Sequence, residues 1–396
     1  MTEVVPQEHR EEQTRAPARK KLFRYDIDSS FYDKEVLDAL RVAESKKREE
    51  AEKIRKGEMQ SPGWEVLDNR YRRLYGLDAG GMGAVDLALD EQTGRLLVVK
   101  RILPEMLENK AIATRFLREI KALAKTGENP FIVNAHDVVD MPDGGKALVM
   151  EYVKDPDLYE RLKKMYIPTD EFAASVAMQV CLALDGAHAQ GVIHRDLKSD
   201  NIFVHSGAHP EHGDVHVRVG DFGVAQLDTV DAFTKTPPHG TARDALRAGG
   251  NAEKRLTGFG YVVGTVDYLA PESITDQKYD RRSDLYSLGV VMYRMIAGRL
   301  PFKSKDVNEI LRMHREEAPY PPHEVRPDHV ESPLEPIVMK LLAKDPKERY
   351  QTAMEVARSI KDAMTARDPT FAEKEPFAGL PVASGVGHDV LYSKEA

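Results

Sequence analysis

His194-Arg195-Asp196-Leu197-Lys198-Ser199-Asp200-Asn201 sits between a helix-type run, Thr169 to Gln190, and a strand. Downstream, Asp221-Phe222-Gly223 follows the strand-like stretch Val215 to Val219, and Ala270-Pro271-Glu272 comes later still. Upstream, Leu97-Val98-Val99-Lys100 is an apolar strand ending in a lysine, and the next helix carries Glu119 as a pairing partner for it. Further upstream lies Gly80-Gly81-Met82-Gly83, followed by Ala84 and Val85. Any one tripeptide has about one chance in twenty of arising in a chain this long, so each is weak singly. Their joint occurrence, in this order and each on a fitting element, is not a product of chance.

The glycine loop narrows the chemistry. Glycines let backbone N–H groups approach phosphate oxygens closely. A dinucleotide-binding fingerprint or a P-loop should open a helix. Here Val85, Leu87 and Leu89 alternate with small or acidic residues, so a strand follows, which argues against both.

Around these motifs the composition changes twice. Met1 to about Asp68 is dense in both signs of charge. Within it Phe31 to Glu58 reads as a helix with Val36, Leu40, Ala43, Ala51 and Ile54 loosely on one face. Lys47 breaks that stripe, which predicts a solvated or partner-dependent helix in preference to a coiled coil. The run Arg19-Lys20-Lys21 reads as solvated tail in preference to a docking segment. Short β-type runs follow at Tyr71 to Leu77, Ala84 to Leu89 and Leu96 to Leu103. After them come a helix at Lys110 to Lys125 and strands at Val133 to Val139 and Lys146 to Val153. Beyond Asp155 the helical runs are Thr169 to Gln190, Arg281 to Ala297, Lys305 to Arg315, Leu334 to Ala343 and Thr352 to Ala366. Strands first and helices after predict an α+β protein with two lobes of different character. The expected division is an extension over 1–68, a catalytic domain over 69–366 (lobes 69–153 and 154–366) and a tail over 367–396.

Bulk composition removes other classes. Hydrophobic residues make up 41% of the 396, enough for a sizeable core, while 31% are charged, so a soluble globular protein is expected. A formal net charge of -8 argues against nucleic acid as the main partner. Cys181 is the sole cysteine, which excludes an internal disulfide and fits a reducing compartment. The first residues carry acids where a signal peptide would be basic and then apolar, and no run approaches the roughly 18 consecutive apolar residues of a membrane span. A cytoplasmic location without a membrane partner is the expectation.

Taken together, the motifs resemble those of eukaryotic-like (Hanks-type) Ser/Thr protein kinases, most of all the bacterial branch, over about Tyr71 to Ala366. Ser283-Asp284-Leu285-Tyr286-Ser287-Leu288-Gly289 matches the family's central helix in the larger lobe, and Lys344-Asp345-Pro346 with Arg349-Tyr350 its late arginine region. The resemblance implies a bilobal fold with a small β-rich lobe containing one main helix and a larger helical lobe. It implies ATP and Mg²⁺ as cofactors and a protein Ser/Thr hydroxyl as acceptor.

By the same resemblance, Lys100 holds the α- and β-phosphates and is held by Glu119. Asn201 and Asp221 ligate the metal, Asp196 orients the acceptor hydroxyl and takes its proton, and Lys198 steadies the moving phosphoryl group. Leu77, Gly80, Gly81, Gly83, Val85, Met150, Glu151, Val153 and Phe203 surround the nucleotide. Lys198 and Thr265 point to Ser/Thr specificity, and Thr265 contacts substrate. Arg195 beside Asp196 implies control by phosphorylation of the 52-residue segment from Asp221 to Glu272. Thr257 is the leading acceptor there, with Thr234 and Thr236 after it, and Thr241 to Leu256 is expected to form a short interrupted helix. Asp157 and Asp200 occupy positions that contact arginines in basophilic relatives, but Arg294 stands where a further acid is expected, so only a mild basic preference is implied.

Departures are few. Asp78 replaces the loop's first glycine and is expected to face solvent; Val98 and Phe203 would crowd adenine; Ser199 replaces a common proline. His205, His209, His212 and His216 read as a solvated insertion in preference to a metal site. Two competing readings stay open: a pseudokinase-like scaffold with weak catalysis, docking partners through its N-terminal extension, and a small-molecule kinase.

Overall fold

The computed structural model describes residues 32–56, 62–79, 83–102, 116, 120–121, 123–126, 129–165, 167–210, 213–222, 266–275, 279–326, 328 and 330–373. The chain divides into two compact units, one of Met1–Tyr75 with Ala88–Leu96, the other of Gly76–Leu87 with Leu97–Ala396.

In the first unit, helix α1 (Lys34–Arg55) starts at Asp33, whose carboxylate accepts the Val36 N–H at 2.9 Å. Val36, Leu40 and Ala43 are buried, so the helix packs within its own chain and is not the solvated or partner-dependent element its charge suggested. Lys47 does not break the stripe but continues it. It follows Ala43 by one helical turn, half-buried, with its ammonium pKa lowered by burial against the opposing pull of Glu65. A lysine can lay its stem along apolar surface and keep its charge at the edge. One turn later Glu50 accepts both Arg73 guanidinium nitrogens at 2.8 and 3.1 Å, and Arg73 is only 4% exposed.

Strand β1 (Val66–Leu67) pairs antiparallel with β2 (Tyr71–Ala79) through Val66↔Arg72 and Leu67↔Tyr71. Asp68 and Asn69 make the turn at φ 51° and 49°, a left-handed conformation their short polar side chains tolerate. Arg70 then clamps Asp90 at 3.0 and 2.8 Å, and Asp90 also accepts from Gln92 N–H and Thr93 Oγ1. The Arg70 hydrogen bond leads in holding the Asp90 carboxyl far below its usual range, with burial opposing it. That fixes the turn between β3 (Gly83–Asp90) and β4 (Arg95–Ile102).

With β5 (Ala135–Asp140) and β6 (Lys146–Glu151), these strands make a six-stranded sheet in the order β1-β2-β3-β4-β6-β5. Within the second unit β4 and β6 pair Val98↔Met150 and Lys100↔Leu148. Helix α2 (Leu158–Met165) precedes α3 (Asp170–Ala189), which Thr169 caps by accepting the Phe172 N–H at 3.2 Å. By length and composition α3 would suit a membrane, but residues from Phe172 to Ala187 are mostly buried inside the protein; it is a core helix. Strands β7 (Ile202–Ser206) and β8 (Val215–Val219) form a separate hairpin.

The remaining helices are α4 (Pro271–Thr275), α5 (Arg281–Ala297), α6 (Val307–Glu316), α7 (Pro322–Val325), α8 (Glu335–Leu341) and α9 (Ala353–Arg367). Helix α5 is central: Leu285, Tyr286, Leu288, Val290, Val291, Met292 and Tyr293 are all fully buried. Gly289 lets α8 approach it, because a Cβ there would lie 2.7 Å from that of Leu341. Glu272 of the Ala-Pro-Glu motif receives both Arg349 guanidinium nitrogens at 2.8 Å, joining two motifs 77 residues apart in the chain.

If α1 is part of the folded core, truncating its inner face must cost stability. Leu40→Ala should lower the unfolding free energy by about 2–4 kcal/mol, and Val42→Ala, 44% exposed, by under about 0.5. Urea unfolding followed by the single tryptophan, Trp64, reads both, and equal small effects would contradict the packing.

Candidate active site

The catalytic turn hangs on one buried carboxylate. Asp284, in the first turn of α5 and 1% exposed, accepts the backbone N–H of His194 at 2.9 Å and of Arg195 at 2.8 Å. His188, near the end of α3, meets the same carboxylate at 2.7 Å. Burial alone would raise the Asp284 pKa, but the His188 hydrogen bond and the charges around it carry it below the ordinary value. This anchoring accompanies Arg195 at φ 69°, a costly backbone conformation for a side chain of that size.

His194 ties the turn to the Asp-Phe-Gly motif. Its ring is fully buried, 4.4 Å from the Phe222 ring, with Nε2 3.0 Å from the Gly220 carbonyl. Nδ1 accepts the Asp196 N–H at 3.3 Å, so the proton belongs on Nε2, which donates to Gly220. Burial lowers the ring's pKa and favours this neutral form.

The hairpin brings the proposed ligands together. Ile202 pairs with Val219, so Asn201 and Asp221 emerge from the same end of β7 and β8, and Gly220 N–H donates to the Asn201 carbonyl at 2.9 Å. Asn201 commits its amide nitrogen to the Asp196 carbonyl at 2.8 Å and carboxylate at 3.3 Å. Its Oδ1 makes no hydrogen bond among the described residues, leaving a neutral oxygen near a carboxylate. Lys198 Nζ lies 2.9 Å from the Asp196 carboxylate. Lys100 Nζ lies 2.9 Å from Asp221 Oδ1, and Asp221 stands at φ 50° with its side chain 49% exposed.

These oxygen donors fit Mg²⁺, which takes one or two protein ligands and completes its shell with substrate phosphates and water. The histidine cluster is otherwise engaged. His205 faces His216 across the hairpin, and their rings meet Asp155 at 2.9 Å and Arg218 at 3.0 Å. Among the described residues no group of three or more His, Cys, Asp or Glu is arranged to hold a metal, and His212 lies outside them.

Of the residues expected to surround a nucleotide, Met150 is buried beside Val98 and Leu148, with Val85, Val153 and Phe203 packed against the same apolar cluster. Leu77 is 42% exposed and Asp78 is exposed as well. Glu151 ends β6 and donates its N–H to the Asn134 carbonyl at 2.9 Å. Gly83 meets its strand neighbour so closely that a Cβ would lie 2.6 Å from the Arg101 carbonyl oxygen. Gly80, Gly81, Glu119, Thr234, Thr236, Thr257, Thr265 and the expected helix at Thr241 to Leu256 lie outside the described residues. The sequence reading missed the roles of Asp284 and His188. The available signal was a carboxylate in the first turn of a helix whose later residues are mostly apolar.

The Lys100 charge is the leading cause of a lowered Asp221 pKa, and its hydrogen bond to the carboxylate lowers it further. Stability from this pair is therefore present above about pH 4 and lost as pH falls through the depressed value. Lys100→Met should move the Asp221 carboxyl titration, followed by carbon-13 NMR, upward. An unmoved midpoint would contradict the pairing.

Comparison with known proteins places the chain. The model of the protein kinase domain family matches residues 71–360. The serine/threonine-protein kinase pkn2 of Myxococcus xanthus is 34% identical over 82% of this chain and 35% of its own length. A probable serine/threonine-protein kinase PknB of Bifidobacterium longum is 33% identical over 80% of this chain and 42% of its own. The chain thus spans well under half the length of these relatives. Among solved structures, the Mycobacterium tuberculosis PknI kinase domain aligns with a TM-score of 0.53 at 21% identity, covering 77% of this chain and 100% of that one. The fold is the bilobal protein kinase fold expected from the motifs. Buried anchor, paired motifs and family match agree: the chain belongs to the protein kinase domain family, on the bacterial Hanks-type branch.

Proposed function

We propose that the chain is a Ser/Thr protein kinase that transfers the γ-phosphoryl group of ATP to a protein hydroxyl. The observation that carries this reading is the joint placement of Asp196, Lys198, Asn201, Asp221 and Lys100 by hydrogen bonds of 2.8–3.3 Å. Phosphoryl transfer asks a protein for position and charge neutralisation more than for covalent chemistry. The Asp196 carboxylate accepts a hydrogen bond from the acceptor hydroxyl, orients its oxygen toward the γ-phosphorus and takes the proton as the new P–O bond forms. The bond to the β-phosphate oxygen breaks, and ADP leaves. Lys198, beside Asp196, neutralises charge on the group in flight, and Lys100 exchanges Asp221 for the α- and β-phosphates. Asn201 Oδ1 and the Asp221 carboxylate are the groups that would hold Mg²⁺, which supplies neutralisation of the phosphate charge.

Specificity for Ser and Thr is supported by Lys198, by the relatives' names and by the Thr265 motif. Asp157 and Asp200 support a mild preference for basic residues near the acceptor. Burial leads in raising the Asp157 pKa, and the Asp200 charge adds to it. Activation by phosphorylation, with Thr257 as first acceptor and Thr234 and Thr236 after it, is part of the same proposal. So are the catalytic boundaries 69–366 and a cytoplasmic setting. A partner docking on the extension would meet the charged outer face of α1, since the apolar face is already used. No observation favours the scaffold reading.

Two measurements test this. Asp196→Asn should reduce phosphate transfer from labelled ATP to a Ser/Thr peptide by at least about a hundredfold. Equal incorporation in both proteins would contradict the assignment. Preincubation with Mg-ATP should raise wild-type activity, and Thr257→Ala retaining that gain would remove Thr257 from the role.

A further inference from the structure

Behind the catalytic turn lies a polar cluster that the mechanism above does not use. Ser199 opens the tight turn Ser199–Asn201 and is fully buried. Its Oγ lies 2.7 Å from the Tyr268 hydroxyl, and Arg294 Nη1 donates to Ser199 Oγ at 2.9 Å and to the Tyr268 hydroxyl at 3.3 Å. The Arg294 guanidinium is held over the Tyr159 ring, 4.4 Å from its centroid. Four segments meet there: the catalytic turn, the turn Val266–Tyr268 that follows Thr265, helix α5 and helix α2.

We propose that Arg294 is a positioning residue which, through Ser199 and Tyr268, fixes the turn carrying Asp196 and Asn201 and joins it to the segment after Thr265. The inference rests on the kinase reading above. Serine at the head of a turn imposes little on its own backbone, so here the restraint comes from the hydroxyl and not from the main chain. A hydrogen bond from a charged donor to a buried hydroxyl is among the stronger single restraints available. Two residues further on, Asn201 spends its amide on Asp196, so looseness at Ser199 reaches the catalytic carboxylate directly. An arginine in the last turn of α5 that merely filled space would not need both hydroxyls.

The backbone supplies a discriminating test. Lys198, just before Ser199, is extended at φ -154° and ψ 167°, the conformation a following proline requires. The Ser199 N–H donates no hydrogen bond among the described residues. Ser199→Pro therefore fits, and it fixes the turn through the main chain without any hydroxyl.

Arg294→Met keeps the stem and removes the donors. It should lower kcat about tenfold, with KM for ATP within about twofold. In the Ser199→Pro background the same substitution should cost less than about twofold. An equal loss in both backgrounds, or no loss in the Ser199 protein, overturns the proposal. Amide exchange at Asn201, whose N–H spans the turn to the Lys198 carbonyl at 3.1 Å, gives a readout independent of activity. It should speed up about tenfold in Arg294→Met and return toward the starting rate in the double variant; unchanged exchange refutes the anchor. Failure of the kinase reading itself is distinguishable, because the unsubstituted protein would then transfer no phosphate while the exchange result still decides the role of Arg294.

Discussion

The Asp284 carboxylate is the constraint on which the rest of the site depends. A buried charge is costly unless it is hydrogen-bonded, and here two backbone N–H groups and a histidine bind the carboxylate. The arrangement works in both directions. The carboxylate is tolerated because the turn folds onto it, and the turn holds Arg195 at φ 69° because leaving would strand the carboxylate. Helix α5 supplies the rigidity, being buried along most of its length.

From that anchor the site assembles by short-range geometry. His194 fixes the distance between the catalytic turn and the Asp-Phe-Gly motif, and the β7–β8 register places Asn201 beside Asp221. Lys100 arrives from a different sheet, on a strand whose pairing with β6 sets its position along the cleft. Charge then distributes itself: Asp221 with Lys100, Asp196 with Lys198, each acid balanced by one amine. Substrate and metal would enter a site whose positive and negative groups are already opposed, so binding exchanges partners without leaving an acid or amine unmatched.

How legible was this in the sequence? The grouping of Lys100 with Asp221 and of Asp196 with Lys198 and Asn201 was, because each motif combines a residue type with a spacing that the proposed chemistry demands. The Arg281–Ala297 helix was too, since its apolar run is capped by Asp280 and stopped by Gly298. Other features hide for identifiable reasons. Strand β1 is only Val66 and Leu67, too short to display a period of two. Helix α2 shares its residues between charge and a thin apolar face. Lys47 read as a break in the α1 stripe because periodicity counts a lysine as polar, whereas its stem packs and only its end needs water. Arg294 and Ser199 carry no local signal of their own, and Asp284 shows only as an acid in the first turn of a long helix. Their meaning lies in contacts made across about ninety residues or more, which no window along the chain reveals.

Asp284 prebuilds the turn that carries Asp196 before any nucleotide arrives. Amide hydrogen exchange at His194 and Arg195 in the nucleotide-free protein tests it most directly. If the carboxylate holds both N–H groups, they exchange as slowly as the buried amides of helix α5, through global opening only. Exchange at the rate of an ordinary surface loop, with α5 still protected, would mean that the turn forms only when substrate binds.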